Sequence, residues 1–286
     1  MPHPTSSRSS GQLIEQLNYF SGLALDWFFS VIIEGVKYIF GNPGLKELEA
    51  FCIDNTLLAF DFDGTLSKLT ARPQNAHISG GTEMLLHEIA PLAFTAIISG
   101  RAIRDLKKMI PFKPSYLIGN HGLESPTTSS KVVSAAKKVT GQWTKQILAD
   151  LELGHGIQLE DKAYSLSIHY RLASKRAPKR NQLIKMAEQL SPSPRIILGK
   201  YVVNLIPPAS PDKGTALLDL MKHAKLDSAI YVGDDLTDED VFSLSSSKVL
   251  GVRVGRIQKS AANYYIKTQS EINRLLSHIL FFLKNH

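Results

Sequence analysis

The chain has 286 residues, of which 43% are apolar; that is enough for one large domain, or a core with a smaller companion, and it excludes a disordered chain. Its single cysteine, Cys52, can form no internal disulfide and sits among apolar neighbours as a packed small hydrophobe, which suits a reducing, cytoplasmic setting. The net charge of +7 is spread over pairs such as Lys107-Lys108 and Lys179-Arg180 with no nucleic-acid motif around them, so a solvated basic surface is the first reading.

The opening MPHPTSSRSSGQ is a Pro, Ser and Gly-rich lead. Leu13, Leu17, Phe20, Ala24, Trp27 and Val31 then recur at helical spacing and predict an amphipathic helix over Leu13–Phe40. Glu15, Asp26, Glu34 and Lys37 interrupt it, leaving no apolar run of about 20 residues to span a bilayer. This helix is expected to dock on the chain's own core or to mediate self-association with a second copy, and residues 1–50 to form an N-terminal extension. No signal peptide is evident.

From Leu57 onward, short β-rich runs alternate with helical patterns, the signature of a parallel sheet covered by helices. Strands are predicted at Leu57–Phe62, Phe94–Ile98, Tyr116–Ile118, Ala229–Val232 and Val249–Val254. Helices are predicted at Thr82–Ile89, Ala102–Met109, Gly214–Ala224 and Ser270–Leu283. The middle differs: a helix near Lys131–Leu151, strands at Gly156–Glu160 and Ser165–Arg171, a basic helix at Ala177–Gln189, and a strand pair at Arg195–Leu198 and Lys200–Leu205. The expected architecture is α/β: a Rossmann-like core of residues 51–122 and 206–286, with an inserted α+β unit at 123–205.

LLAFDFDGTL, residues 57–66, places Asp61 and Asp63 directly after an apolar strand. Alternation points both carboxylates the same way, about 6 to 7 Å apart, so a positive charge should lie between them. Three more polar clusters follow predicted strands or precede a helix: Ser99-Gly100-Arg101, Lys213-Gly214, and GDDLTDED at 233–240. The carboxyl ends of strands in an open α/β sheet share one crevice, so these clusters should converge. Magnesium suits the all-oxygen donor set of Asp61, the Asp63 carbonyl and Asp234 or Asp238. Asp61 could then attack phosphorus to give an aspartyl-phosphate. Asp63 could protonate the leaving alcohol and later deprotonate water. Gly64 permits a sharp turn, Thr65 offers a hydroxyl, Ser99 would hold a phosphate oxygen, and Lys213 would balance charge on the transferring group. Each cluster alone reads as a turn, a cap or a charged helix start. Their joint placement at strand ends carries the inference. His121 in GNHG reads first as a turn residue.

DFDGTL, ISGR, the Lys213 region and GDDLTDED resemble the four motifs of the haloacid dehalogenase superfamily of phosphotransferases. More narrowly, ISGR (98–101), GNHG (119–122), EDKAYSLSIHYR (160–171) and GDDLTDED are similar to the trehalose-6-phosphate phosphatases over residues 57 to about 280. The resemblance implies a mobile cap over the core and magnesium-dependent hydrolysis of trehalose 6-phosphate. It also implies Asp61 as nucleophile, Asp63 as acid/base, Ser99 and Lys213 as phosphate binders and Asp234 as a metal ligand. Arg101 then matches a substrate-contacting position, and Glu160 with Lys162 a sugar-binding pair, for which an ion pair across a hairpin is the competing reading. Gly100, Asn120, His121 and Arg171 fall in the same motifs as candidate substrate contacts.

One departure stands out. The family usually carries a Glu, then an Arg two residues on, in the strand before Lys-Gly, where this chain has Asn204 and Ile206. Asn204 can bond a hydroxyl but brings no charge, which keeps open a different sugar phosphate, such as sucrose or mannosylglycerate phosphate. A binding-only regulatory protein is the reading from a different class; degeneracy of that kind would normally cost one of Asp61, Asp63, Lys213 or Asp234.

Overall fold

The computed structural model describes residues 36–70, 72–150, 155–257 and 259–286. In chain order they form β1 (Lys37–Tyr38), α1 (Asn42–Phe51), β2 (Thr56–Phe60), α2 (Gly80–Ile89), β3 (Phe94–Ile98), α3 (Ile103–Met109) and β4 (Tyr116–Ile118). There follow α4 (Ser130–Asp150), β5 (Gln158–Asp161), β6 (Leu166–His169), α5 (Arg176–Glu188), β7 (Arg195–Gly199) and β8 (Val202–Ile206). The chain finishes with α6 (Lys213–Ala224), β9 (Ser228–Gly233), α7 (Glu239–Phe242), β10 (Val249–Val254), β11 (Tyr264–Ile266) and α8 (Ile272–Asn285).

Seven strands make one sheet in the order β1-β11-β10-β9-β2-β3-β4, and every pairing is parallel. The wholly buried β2 shows why: a strand buried on both faces needs helices on both. Leu58 and Phe60 pack with residues of α2 and α8 on one face, and Leu57 and Ala59 with residues of α6 on the other. The chain runs outward from β2 through β3 to β4, then returns to β9 on the opposite flank of β2 and continues to β10 and β11. The β2–β9 seam is therefore the topological switch point, where the outgoing loops diverge and leave a crevice.

Residues 158–206 contribute a second, antiparallel sheet in the order β5-β6-β8-β7: two hairpins joined edge to edge. Leu166, Ile168, Val203 and Leu205 pack against Trp143 and Ile147 of α4 and Leu183 and Ala187 of α5 in a separate apolar cluster. The buried Trp143 indole donates to the Pro192 carbonyl at 2.7 Å. The opposite face of this sheet carries Ser167, His169 and Asn204 into the crevice, as period-2 alternation requires.

The N-terminal expectation needs correction where it can be seen. Lys37–Tyr38 is not the end of a helix; it is an edge strand parallel to β11, and the Ile39 amide donates to the Tyr265 carbonyl at 3.1 Å. Pairing with β11 satisfies backbone groups that a helix would have bonded internally. Pro43 then opens α1 at a position where its missing N–H costs nothing. Ile39, Leu48 and Cys52 are wholly buried in the core, so residues 36–51 are part of the sheet domain rather than of an extension. Burial pushes the Cys52 thiol up to about 12, an inert packed side chain. The predicted helix over residues 13–35 lies outside the described residues. No helix among the described residues is long and apolar enough to cross a membrane.

Candidate active site

β2 and β9 are paired in register up to Phe60 and Val232, and the Asp61 amide donates to the Val232 carbonyl at 2.8 Å. That pairing brings Asp61 and Asp234, the residues leaving the two strands, to the same end of the seam. Asp61, Asp234 and Asp238 each present one carboxylate oxygen within 4.8 Å of the others. Lys213, the first residue of α6, is 1% exposed and spans the cluster, donating to Asp61 Oδ1 at 2.9 Å and to Asp238 Oδ1 at 2.7 Å. Asp212 caps α6 by accepting from the Thr215 amide, which fixes where the lysine emerges.

Asp238 is the most committed of the three acids. Its Oδ1 also accepts from the Tyr231 hydroxyl at 2.6 Å, and its Oδ2 from the Asp235 amide at 2.8 Å. Asp234 by contrast accepts, among the described residues, one side-chain hydrogen bond, from Thr65 Oγ1 at 3.2 Å. Gly64 lies beneath it at φ +88°, and a Cβ there would collide with the Asp234 carboxylate. The turn therefore needs glycine twice, for its conformation and for its missing side chain.

Burial raises Asp61 well above the usual carboxylate range, and Asp238 and Asp234 add to the rise while Lys213 opposes it. Burial likewise pushes Asp234 up to about 7, with Asp238 and Asp235 contributing. Burial works against the charge of Lys213, but Asp238 and Asp61 outweigh it and hold the amine well above its ordinary value. One lysine facing three clustered acids leaves negative charge uncompensated. The donor set is oxygen only, with Asp61 and Asp238 buried and Asp234 partly open, and a glycine clears the space beside Asp234, so the residues fit a hard divalent cation such as magnesium.

Asp63 sits apart from this cluster. Arg101 clamps both its oxygens, Nε to Oδ2 at 2.5 Å and Nη2 to Oδ1 at 2.6 Å; the same guanidinium bonds the Pro73 carbonyl at 2.8 Å and lies 5.5 Å from the Phe62 ring centre. Ser99 is buried where β3 ends, with its Oγ accepting from the Arg101 amide at 3.3 Å. Gly100 leaves room for the His121 ring, since a Cβ there would come within 2.5 Å of Cε1. His121 has φ 58°, so the turn reading holds for its backbone, yet its ring also lines the crevice. Burial keeps that imidazole well below the usual histidine range, and nearby Lys162 adds to the effect; its Nδ1 is buried without a hydrogen-bond partner.

The crevice is a cavity of about 260 Å³ between the core strand ends and the polar face of the second sheet. Glu160, Lys162, Arg171 and Asn204 line it from that side. Glu160 and Lys162 do not pair across the hairpin: Glu160 accepts from His169 Nε2 at 2.7 Å, and Lys162 Nζ reaches the Gly100 carbonyl at 3.3 Å. The bond from His169 holds Glu160 below its usual value despite burial. Burial lowers the Lys162 amine against the pull of Glu160. Asn204 accepts from Ser167 Oγ at 2.6 Å and donates to the Ile197 carbonyl at 3.3 Å. The Arg171 guanidinium lies 5.6 Å from the Tyr201 ring centre.

Two predicted contacts face elsewhere. The Thr65 hydroxyl is wholly buried and turned to Asp234, because the Gly64 turn folds it under the loop. Asn120, also wholly buried, joins the two sheets: its amide donates to Glu124 Oε2 at 2.7 Å and to the Lys162 carbonyl at 3.4 Å, and its oxygen accepts from Ser165 Oγ at 2.6 Å. Sequence reasoning missed Tyr231, hidden in an apolar strand, and His169, which looked like any half-exposed strand residue. A larger groove of about 600 Å³ between α4 and α5 holds no carboxylate and gathers no comparable chemistry.

A parallel α/β core with acids at its switch point, roofed by a small antiparallel unit, defines a protein of the haloacid dehalogenase-like class. The trehalose-phosphatase family model matches residues 59–271. Trehalose-phosphate phosphatase B of Arabidopsis thaliana is 26% identical over 246 residues, 78% of this chain and 66% of the relative. Trehalose-phosphate phosphatase of Mycobacterium bovis (strain BCG) is 30% identical over 196 residues, 65% of this chain and 50% of the relative. The solved C-terminal domain of C. albicans trehalose-6-phosphate phosphatase superposes with a TM-score of 0.67 at 22% identity, covering 87% of this chain and 99% of that one; at that identity it establishes the shared fold. The chain belongs to the trehalose-phosphatase family, and it spans between half and two thirds of the length of these two curated relatives.

Proposed function

We propose that the chain is a magnesium-dependent phosphatase that hydrolyses trehalose 6-phosphate through a phosphorylated Asp61. The observation that carries this reading is the convergence of Asp61, Lys213 and Asp234 at the β2–β9 seam, facing a cavity whose far wall offers sugar-binding groups. Asp61 and Asp234, with the Asp63 carbonyl, would hold the ion, while Asp238 serves chiefly to fix Lys213. Bound there, magnesium would offset the clustered negative charge and polarise a phosphoryl oxygen.

Lys213 occupies Asp61 Oδ1, which leaves the other oxygen to attack phosphorus in line with the departing sugar oxygen. Ser99 and the adjacent amides receive phosphoryl oxygens. Asp63 then gives a proton to the leaving hydroxyl and takes one from the water that opens the aspartyl-phosphate. Arg101 grips both Asp63 oxygens, so the arriving phosphate or sugar has to draw the guanidinium away before Asp63 can act. Residues 123–205 act as a cap. Its Glu160 and Lys162 hold sugar hydroxyls, and its closure excludes bulk water during phosphoryl transfer.

Asn204 keeps a second reading open, the phosphate ester of a different sugar. Its amide is engaged inside the small sheet and brings no charge to the sugar side. A panel of sugar phosphates assayed with magnesium separates the readings: brisk release from trehalose 6-phosphate alone supports the first, and release from another ester alone supports the second. Asp61→Asn should reduce turnover by at least about a thousandfold, since the isosteric amide is no nucleophile. Activity equal to wild type would assign the observed hydrolysis to a contaminant.

A further inference from the structure

β10 reads VLGVRV and every position in it is buried, yet one of those positions is Arg253, 2% exposed. A guanidinium in such a strand is tolerated only where its donors are met, and its choice of partners is informative. Arg253 Nη2 donates to the Asp234 carbonyl at 2.5 Å; Nη1 donates to the Asp235 carbonyl at 3.3 Å and to Glu239 Oε1 at 2.6 Å. Nε is left without a partner. The side chain thus commits its two terminal nitrogens to the loop leaving β9, at the cost of its third.

The strand register explains the reach. Arg253 pairs with Gly233, the residue immediately before Asp234, so the guanidinium can hold the two carbonyls of that loop from behind. Glu239 completes the brace: its Oε1 also accepts from Ser260 Oγ at 2.7 Å, and its Oε2 from the Ala261 amide at 2.9 Å. On the other side of the same backbone, the Asp234 carboxylate projects over Gly64 toward Asp61. Without the fork, no described side chain would hold the Asp234 carbonyl, and the Asp235 carbonyl would keep its bond from the Asp238 amide at 3.3 Å.

We infer that Arg253, braced by Glu239, is a positioning residue that sets the Asp234 carboxylate for a divalent cation. The inference rests on the proposed magnesium-dependent reading. It does not touch substrate: Arg253 acts only through the backbone that carries Asp234. Lysine retains the charge but lacks the planar fork, so it cannot hold two carbonyls and a carboxylate together.

The test measures cation binding directly. The purified 286-residue chain, as wild type, Arg253→Lys and Glu239→Gln, is titrated with magnesium chloride by calorimetry, then with manganese chloride by electron paramagnetic resonance, in the absence of substrate. Arg253→Lys should weaken cation binding by about 10- to 100-fold, the range seen when groups that orient ligands are lost, and Glu239→Gln by less. The KM for the phosphate ester, measured at saturating magnesium, should stay unchanged. If both variants bind the cation as tightly as wild type while only their melting temperatures fall, Arg253 is merely structural and the inference is overturned. Should Arg253→Lys fail to fold, Glu239→Gln decides by the same criterion. Wild type that takes up no cation in either titration overturns the magnesium reading itself, and this inference with it.

Discussion

Replacing Gly64 by alanine is the sharpest test of the turn beneath the acid cluster. Two costs act together. The backbone at φ +88° disfavours any side chain by about 1–3 kcal/mol, which in a domain of this size lowers the melting temperature by roughly 2 to 10 °C. Separately, the new Cβ falls inside the contact distance of the Asp234 carboxylate, so that group must swing away and lose its 3.2 Å bond from Thr65. Asp234 is one of three acids sharing a 4.8 Å cluster. Moving it should weaken magnesium binding at least tenfold, about 1.4 kcal/mol. Thermal melting with increasing magnesium chloride separates the two effects: the metal-free midpoint reports the strain, and the concentration at which the midpoint begins to rise reports the site. Alanine whose midpoint begins to rise at the wild-type concentration would mean that Asp234 is no ligand, and would refute the argument even if the metal-free midpoint fell.

The metal-free protein should also respond to pH. The folded Asp234 carboxyl lies near 7 against 3.8 for a free one. Its proton is bound more tightly when folded, so this group's stability is full below about 4 and is lost as pH rises toward 7, then flat above. A cation must displace that proton, and its apparent affinity should fall about tenfold per unit as pH drops below 7; calorimetry in matched buffers between pH 5 and 8 checks this, and a flat profile would argue against Asp234 as ligand. Asn120→Ala should uncouple the small sheet from the core by removing bonds to Ser165, Glu124 and the Lys162 carbonyl. It should lower stability by about 1–3 kcal/mol and raise KM for a sugar phosphate while sparing a small aryl phosphate; equal loss on both esters would refute a specific role for the contact.

The strand positions were readable because they are short apolar runs ended by polar residues. β3, β4 and β10 fall where expected, and β2 and β9 within two residues. β1 and β11, side by side at one flank of the sheet, are strands of two and three residues, too short for any periodicity to register. β1 was further obscured by an apolar run whose spacing mimics a helix. Of the site, Asp61, Asp234 and Lys213 could be named from their places after strands or at a helix start. Motif position places Thr65 and Asn120 in loops beside the cavity, since it tells which loop a residue occupies but not which way its side chain turns. Arg253 left a visible trace, a charge inside VLGVRV, since a buried guanidinium requires partners; which carbonyls it holds could not be read.

Local order, alternation and turn chemistry are properties of neighbouring residues, and they determined the parallel core, the inserted antiparallel unit and the acids at the strand ends. What only the tertiary structure decided is how groups far apart in the chain share their charges. Lys213 joins Asp61 to Asp238, 152 and 25 positions away; Arg101 covers Asp63; His169 rather than Lys162 holds Glu160. Electrostatics and hydrogen bonding act over a few ångströms in space regardless of separation in sequence, so their partners exist only once the strands are paired.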